Sequence, residues 1–145
     1  MRAMRHWKLT LRLIAACAVL AVAKPGTAVA EPKESRPSVD EICHTLAEAA
    51  VDNALPEEFF TRLIWQESRF DHEAISPAGA MGVAQFMPDV ADKFDINAFD
   101  GREALPASAR LLRTLADRFG NVGLAAAAYN AGPKRVADWL AQRLG

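Results

Sequence analysis

The sequence predicts an all-α fold, and three observations lead to that prediction. From position 38 onward, apolar residues recur three and four positions apart, as they do on one face of a helix. No stretch alternates apolar and polar residues over a useful strand length, and proline, glycine and serine separate the apolar runs. A chain of 145 residues, 51% hydrophobic and 24% charged, has the composition and length of one ordinary folded domain. We therefore expect a single helical domain over residues 38–145.

Residues 1–30 have the features of a targeting segment, with a net charge of +5 and no acidic residue. The apolar run from Leu13 to Ala23 has eleven residues, too few to cross a bilayer, which takes about 20 residues of helix. A Lys-Pro-Gly break follows the run, and Ala28-Val29-Ala30 has the small-x-small pattern of a signal peptidase site. These features predict a signal peptide over 1–30, cleavage before Glu31, and export to the periplasm.

Three other interpretations of this segment are weaker. An uncleaved anchor would need a longer apolar run, and the earlier tripeptide Ala21-Val22-Ala23 lies inside the run. A lipoprotein modified at Cys17 would have only four apolar residues between Arg12 and the cysteine. Cleavage before Glu31 therefore remains the prediction.

The remainder of the chain, residues 31–145, carries 12 basic and 18 acidic residues, a net charge of −6. This negative net charge argues against a nucleic-acid-binding protein, which needs a basic surface. Cleavage would leave Cys43 alone, so no internal disulfide or zinc site is expected, and the sequence calls for no metal or cofactor. Cys43 is either a small buried helix residue or a cysteine whose partner lies in another segment or chain. We expect His44 and His72 to lie on the surface.

The first elements follow from local signals. Residues 31–37, with two prolines and alternating charges, predict an unstructured lead-in. Ser38 with Glu41 three residues later has the capping-box pattern, and apolar residues follow it at helical spacing. A second helix is predicted near Pro56, because two glutamates come after it at the positive end of the helix dipole.

The middle of the chain predicts a shaped loop and then further helices. The stretch from Ser76 to Pro88 contains two prolines and two glycines among small residues, and it can hold one short helix. The pattern after it predicts a short helix from Pro88 and a turn over 97–101. A helix with an apolar face follows over 105–119, and Gly120 ends it. An alanine-rich helix is predicted over 122–129, and a last helix over 134–144 after Gly132-Pro133.

Glu67 is the residue that is least expected in a purely structural helix. It follows Leu63 by four positions and Ile64 by three, so it shares their inward face. A surface glutamate paired with Arg69, or one held by local backbone, is the ordinary explanation. A half-buried glutamate facing apolar residues would instead have a raised pKa and could serve as a general acid.

Other polar residues support the functional interpretation. Gln85 stands in the loop where packing requires no amide, and glycine there would let a polymer chain approach the backbone. Tyr129 and Asn130 place a phenol and an amide at the end of the alanine-rich helix. Each has a structural alternative: a surface amide for Gln85, a core position for Tyr129 and a helix C-cap for Asn130.

Three blocks of sequence together resemble the signature of the soluble lytic transglycosylase family, in that family's order and spacing. They are Ile64-Trp65-Gln66-Glu67-Ser68-Arg69-Phe70, the loop from Ser76 to Pro88 with Gly82-Val83-Ala84-Gln85, and Ala128-Tyr129-Asn130-Ala131-Gly132. The resemblance implies a lysozyme-like (goose-type) helical fold and cleavage of peptidoglycan glycan strands. It implies further that Glu67 is the catalytic acid and base and that Ser68 supports it. The residues it implies in substrate binding are Ser68, Ser76, Met81, Gly82, Gln85, Phe86, Tyr129 and Asn130. It implies that the last two also orient the acid.

The implied reaction needs one carboxylate. In this family the glutamate protonates the bond between N-acetylmuramic acid and N-acetylglucosamine, and the muramyl C6 hydroxyl attacks to give a 1,6-anhydro end. A conventional glycosidase needs two carboxylates, and only Asp71, Glu73 and Asp89 lie near the motifs in sequence. The alternatives are a hydrolytic muramidase of the same fold and a catalytically silent peptidoglycan-binding subunit of a secretion or conjugation machine. The resemblance to small exported members of the family also implies such an envelope-spanning apparatus as a partner.

Two features depart from the family pattern. Ala84 stands where members often have methionine, which implies a groove of altered shape. Relatives usually continue past the last motif with another helical segment, whereas this chain ends at Gly145. The resemblance therefore implies a domain shortened at its C-terminus.

Overall fold

A computed structural model describes residues 36–144, and the helices of this region confirm the all-α prediction. They are α1 (Val39–Asp52), α2 (Glu57–Ser68), α3 (Pro88–Phe94), α4 (Gly101–Phe119), α5 (Val122–Ala131) and α6 (Pro133–Leu144). Between residues 36 and 144, β pairing is limited to single bridges that join Met81 to Ile75 and to Phe86. The predictions made for residues 1–35 lie outside the described residues. In the described part, no helix is both long and apolar enough to cross a membrane.

Helix α1 begins as the capping signal predicts. The Ser38 hydroxyl oxygen accepts a hydrogen bond from the Glu41 amide at 3.2 Å. The Glu41 carboxylate accepts from Arg102 Nε at 2.6 Å, which joins α1 to the start of α4. Arg36, at the end of the lead-in, is not helical and pairs with Glu73 at 2.7 Å.

Helix α4 begins four residues before the predicted start. The Asp100 carboxylate accepts from the Arg102 amide at 2.9 Å, which caps the helix at Gly101. Pro106 is therefore accommodated inside the helix rather than near its start. The predicted stop at Gly120 is confirmed, with φ at 83° in the left-handed region. The last helix begins one residue early, at Pro133, and the loop after Ser76 contains no helix before Pro88.

Helices α4 and α5 form the most extensive helix–helix contact among the described residues. Ala125 and Ala128 of α5 are buried there, and their small side chains let the two helix axes approach closely. Leu105 and Leu112 of α4 are fully buried in the same core. This contact fixes the end of α5, where Tyr129 and Asn130 lie, relative to the rest of the domain.

Both His44 and His72 were expected on the surface, and the structure places only His44 there. His44 is exposed and pairs with Glu48 at 3.2 Å, as expected of a surface residue. His72 is 9% exposed, so its predicted surface position is wrong. Its ring packs against Gly101, where an added Cβ would lie 2.5 Å from the ring. Cys43 is an exposed free thiol, not the small buried residue that one interpretation expected.

Candidate active site

Glu67 lies in the last turn of α2, with its side chain half-buried on the inward side of the helix. Ile64, one turn earlier on that side, is fully buried. Within residues 36–144, the Glu67 carboxylate accepts no hydrogen bond and forms no ion pair, so the proposed surface pairing with Arg69 is absent. Burial raises the pKa of Glu67 above the usual carboxyl value. The group therefore holds its proton at a higher pH than a solvated glutamate does.

Ser68, the next residue, connects the end of α2 to the loop. Its hydroxyl donates to the Val83 carbonyl oxygen at 2.7 Å. Helix α2 ends immediately afterwards at Arg69, whose φ of 55° turns the chain away from the helix axis. Glu67 is therefore held against the loop by its own neighbour in sequence.

Gln85 has a local role that the sequence did not suggest. Its side-chain amide donates to the carbonyl oxygens of Gly82 at 2.9 Å and Ala74 at 3.2 Å. Its backbone lies in the left-handed region, with φ at 50°, which non-glycine residues rarely adopt. The expectation that packing requires no amide here is wrong, because the amide bonds stabilise this turn.

Gly82 is required by packing within the chain. An added Cβ would lie 1.8 Å from the Ala98 carbonyl oxygen, and φ is 70°. The side of Gly82 that lacks a Cβ therefore faces the segment before α4 and is not open to a polymer chain. Gly79, with φ at 89° and nothing within 4 Å of an added Cβ, lies at the open part of the loop.

Tyr129 lies opposite Ser68 across the loop and is half-buried. Its hydroxyl donates to the Ala84 carbonyl oxygen at 2.8 Å. Burial raises the pKa of Tyr129, and the negative charge of nearby Glu67 raises it further. Tyr129 is thus near Glu67, but its hydroxyl hydrogen is used by Ala84.

Three consecutive backbone carbonyls, those of Gly82, Val83 and Ala84, therefore each accept a side-chain hydrogen bond. We call them the carbonyl triplet. The donors are Gln85 in the loop, Ser68 at the end of α2 and Tyr129 on α5. The three sequence blocks meet at this triplet, so the structure brings them together through the backbone of the middle block.

The other predicted site residues differ in exposure. Ser76 Oγ accepts from the Ala80 amide at 3.0 Å and closes a turn at the start of the loop. Met81 exchanges two backbone hydrogen bonds with Phe86, at 2.9 and 3.0 Å. Phe86 is 2% exposed, so its side chain lies behind the site, 6.4 Å from the Tyr129 ring between centroids. Asn130 is exposed inside α5, where Gly132 rather than Asn130 provides the C-cap.

Ser108 is a polar residue near the site that sequence reasoning missed. It is fully buried on α4, and its hydroxyl donates to the Leu105 carbonyl oxygen at 2.8 Å. Its side chain also lowers the pKa of Tyr129, against the larger upward effects of burial and Glu67. The available signal was a single serine among the alanines and leucines of the buried face of α4.

The acidic residues nearest in sequence are engaged elsewhere. Asp71 accepts from the Glu73 amide at 2.9 Å, Glu73 pairs with Arg36, and Asp89 pairs with Lys93 at 2.9 Å. No set of three His, Cys, Asp or Glu side chains within residues 36–144 could hold a metal ion. The described site therefore contains one carboxyl group, that of Glu67.

The fold and the site define a lysozyme-like helical domain in which one half-buried glutamate lies against a glycine-containing loop. Residues 44–144 match the family model described as "Transglycosylase SLT domain", and the chain belongs to that family.

The chain is similar to a protein named "Transglycosylase" from Enterobacteria phage PRD1, with 32% identity over 68% of this chain and 37% of that protein. It is also similar to a "Soluble lytic murein transglycosylase" of Escherichia coli K12, with 31% identity over 63% of this chain and 16% of that protein.

A similar solved structure is that of an inactive mutant of the lytic transglycosylase Slt from Pseudomonas aeruginosa. The TM-score is 0.56 and the identity is 34%, over 67% of this chain and 18% of that one. The chain thus spans well under half the length of the relatives that it matches.

Proposed function

We propose that this protein is a peptidoglycan lytic transglycosylase that cleaves the β-1,4 bond between N-acetylmuramic acid and N-acetylglucosamine and leaves 1,6-anhydro ends. The observation that carries the proposal is Glu67, a half-buried carboxyl with a raised pKa and no charged partner in the described residues. Membership of the transglycosylase family supports it. The similar Pseudomonas structure, inactive with a glutamate replaced by glutamine, also supports a glutamate as the essential group.

In the proposed mechanism, Glu67 first gives its proton to the glycosidic oxygen as the bond to the muramyl C1 breaks. The muramyl C6 hydroxyl then attacks C1 and transfers its proton to the Glu67 carboxylate, which restores the acid. The raised pKa of Glu67 suits the first step, because the carboxyl is still protonated at a pH where a solvated one is ionised. The attacking hydroxyl belongs to the substrate, so it has the entropic advantage of a tethered group.

Among residues 36–144 no second suitable acid accompanies Glu67, which favours this reaction over hydrolysis. A two-carboxylate hydrolase places its second group about 5–9.5 Å from the first. Burial is the cause of the Glu67 shift, and Asp71, Glu73 and Asp89 are bonded to other partners. An internal nucleophile removes the need for that second group.

The other site residues have two proposed roles. Ser68, Gln85 and Tyr129 hold the carbonyl triplet and so shape the wall beside Glu67, while Gly82 and Phe86 pack behind that wall. The residues proposed to contact the glycan are Asn130, which is exposed, and Ser76 and Met81, which are partly exposed.

We also propose that the protein acts outside the cytoplasm, where its substrate lies, after removal of residues 1–30. Glycan strands are the proposed partner, with recruitment by an envelope-spanning secretion or conjugation apparatus. N-terminal sequencing of the protein from the periplasmic fraction should begin at Glu31. An intact Met1 in that fraction, or a lipid on Cys17, would contradict the cleavage.

The activity is tested by incubating the purified protein with isolated sacculi and identifying the released muropeptides by mass spectrometry. Products with 1,6-anhydro ends are expected. Products with reducing ends would identify a hydrolytic muramidase instead. No release, together with binding to the sacculi, would identify a catalytically silent binding subunit.

A further inference from the structure

We propose that copies of this chain associate head to tail, with the outer side of helix α1 of one copy docked in a groove between α5 and α6 of the next. The two surfaces are both apolar at the centre and carry opposite charges. Neither surface contains Glu67, so the association is independent of the proposed reaction.

The α5–α6 groove has a volume of about 330 Å³ and an apolar lining that includes one arginine. The lining residues are Leu124, Ala127, Ala131, Arg135, Val136 and Trp139. Trp139 is 46% exposed, although a large aromatic ring gains much from burial. Ala127 and Ala131 lie one turn apart, and their small side chains let another helix approach α5 closely. The groove therefore suits the apolar side of a helix.

The charges beside the groove are positive. Helix α6 has three basic residues and one acidic residue, and α5 has no charged residue. The acidic one, Asp138, pairs with Lys134 at 2.7 Å. Arg135 lines the groove, and the Arg143 guanidinium lies over the Trp139 ring, 5.1 Å from its centroid. Within residues 36–144 no carboxylate pairs with either arginine, so the groove favours an occupant that carries carboxylates.

Helix α1 has an apolar stripe on its outer side. The stripe consists of Val39, Cys43, Ala47 and Val51, which follow one another at intervals of four residues and so share one side of the helix. Val39 is 78% exposed and Val51 is 74% exposed. Such exposure of two valines on one stripe is explained by a partner that covers them.

The charges of α1 complement those of the groove. Among the helices of residues 36–144, α1 is the one that has acidic residues and no lysine or arginine. Asp40 and Asp52 are exposed and form no ion pair with any residue between 36 and 144. The unpaired carboxylates of α1 therefore match the unpaired arginines of α6, which favours a second copy of this chain as the occupant.

The two surfaces meet between copies and not within one copy. The groove is lined by α5 and α6 residues, whereas α1 packs its buried side on α2 and α4. Ala127 and Ala131 each lie two positions from Tyr129, so the groove is on the opposite side of α5 from the catalytic loop. Docking there leaves the active site open. Because two different surfaces meet, the contact can repeat from copy to copy.

The contact is small, so the association is weak. Helix α1 has 14 residues and α6 has 12, which gives matching lengths of about 21 and 18 Å. A single helix in a groove is at the low end of interface areas, and we expect a dissociation constant on the order of 0.1–1 mM.

The first test is sedimentation equilibrium of the purified protein from about 20 μM to about 2 mM, a range that brackets the expected constant. The weight-average mass should rise to at least about twice the monomer mass at the highest concentration. It should rise less at high salt, because screening weakens the attraction between exposed charges. A protein that stays monomeric throughout would overturn the proposal.

The second test reverses the charges of each surface separately. One variant carries Arg135→Glu and Arg143→Glu, and the other carries Asp40→Lys and Asp52→Lys. Each alone should remain monomeric, since like charges then face each other. A mixture of the two should associate again, because each surface then meets an opposite charge on the other variant. Both variants keep a net negative charge over residues 31–145, so general attraction between them does not explain recovery.

The matched control reverses two exposed basic residues away from both surfaces, Arg62→Glu with Lys93→Glu. It should associate as the wild type does. Failure of the mixture to associate, or self-association of either charge-reversed variant at wild-type strength, would overturn the proposal. Binding of a monomeric wild type to phosphatidylglycerol vesicles, lost with Arg135→Glu and Arg143→Glu, would assign the groove to a lipid surface instead and would also overturn it.

Discussion

At the scale of single residues, the environment of Glu67 combines reactivity with a cost in stability. A half-buried carboxylate without a charged partner is disfavoured by the loss of solvation, and that same loss raises its pKa. A group with this environment contributes little to folding when it is ionised. The site therefore trades stability for a carboxyl that keeps its proton to a higher pH than a solvated glutamate does.

Replacing Glu67 with Gln tests that role. The change keeps the size of the side chain and removes the transferable proton, so release of anhydro-muropeptides from sacculi should be abolished. Binding to insoluble peptidoglycan should be retained, because the groups that shape the loop are untouched. Sustained release by this variant would place the acid at another residue.

The same variant makes a prediction about pH and stability. Because the pKa of Glu67 is raised in the folded protein, the stability that its neutral form provides is complete at low pH and is lost as pH rises through the folded pKa. The melting temperature of Glu67→Gln relative to wild type should therefore increase from acidic to neutral pH. Thermal unfolding of both proteins at several pH values measures this. A difference that shrinks with rising pH would contradict the burial of Glu67.

Tyr129→Phe separates the hydroxyl from the ring. The aromatic packing near Phe86 is kept, while the bond to the Ala84 carbonyl is lost. Turnover should fall and its pH dependence should shift, and the free energy of unfolding should drop by no more than about 1–3 kcal/mol. Steady-state kinetics and chemical denaturation provide both values. Strong destabilisation with unchanged specific activity would make Tyr129 a core residue only.

At the scale of elements, the helix ends that depend on nearby residues were predicted from the sequence, and those that depend on a less obvious cap were missed. The helix starts at Ser38 and Pro88 and the stop at Gly120 were found because each depends on local sequence. Ser38 is an N-cap, Pro88 stands at the first helical position and Gly120 is a C-cap. The start of α4 was missed because the prediction followed the apolar spacing that begins at Leu105, whereas the Asp100 cap sets the start earlier.

The site shows the same division. The sequence placed Glu67 on the inward face of α2, since Leu63 and Ile64 define that face locally. It did not reveal that Gln85, Ser68 and Tyr129 bond to the carbonyl triplet, because those partners depend on how separate segments meet. His72 was placed on the surface for a related reason: its burial depends on Gly101, far along the chain.

Gly82→Ala tests the packing of the loop as an element. The new Cβ would meet the Ala98 carbonyl oxygen, and the left-handed backbone adds strain. Gly79→Ala is the matched control, because it has the same backbone requirement but open space around the new Cβ. Gly79→Ala should lower the free energy of unfolding by about 1–2 kcal/mol. Gly82→Ala should lower it by more and should also reduce turnover. Equal losses in urea denaturation would mean that contact with Ala98 is unimportant.

At the scale of the whole molecule, the contact between His72 and Gly101 makes stability depend on pH. Burial lowers the pKa of His72, the charge of Arg36 lowers it further, and Asp100 and Asp71 partly oppose both. A base with a depressed folded pKa contributes stability above its unfolded pKa of about 6.5, and that stability is lost as pH falls. Protonation of His72 should therefore destabilise the domain as the pH falls from neutral to pH 5.

A pair of histidine variants tests this dependence. His72→Gln cannot titrate, so its melting temperature should fall less than that of the wild type between neutral pH and pH 5. His44→Gln, at an exposed position, should keep the wild-type dependence. If the melting temperature of His44→Gln changed less with pH than that of His72→Gln, the pH dependence would come from His44 and the prediction would be wrong.

The carbonyl triplet also determines how the loop can move. Its donors belong to α2, to α5 and to the loop itself, so the loop cannot leave its position without breaking bonds to two separate helices. Opening is therefore cooperative, and the paired amides of Met81 and Phe86 should exchange with solvent together rather than fray one at a time. Because the acceptors are backbone atoms, the side chains of Val83 and Ala84 take no part in these bonds. Both side chains are fully buried, so core packing, and not these hydrogen bonds, restricts which residues can stand at the two positions.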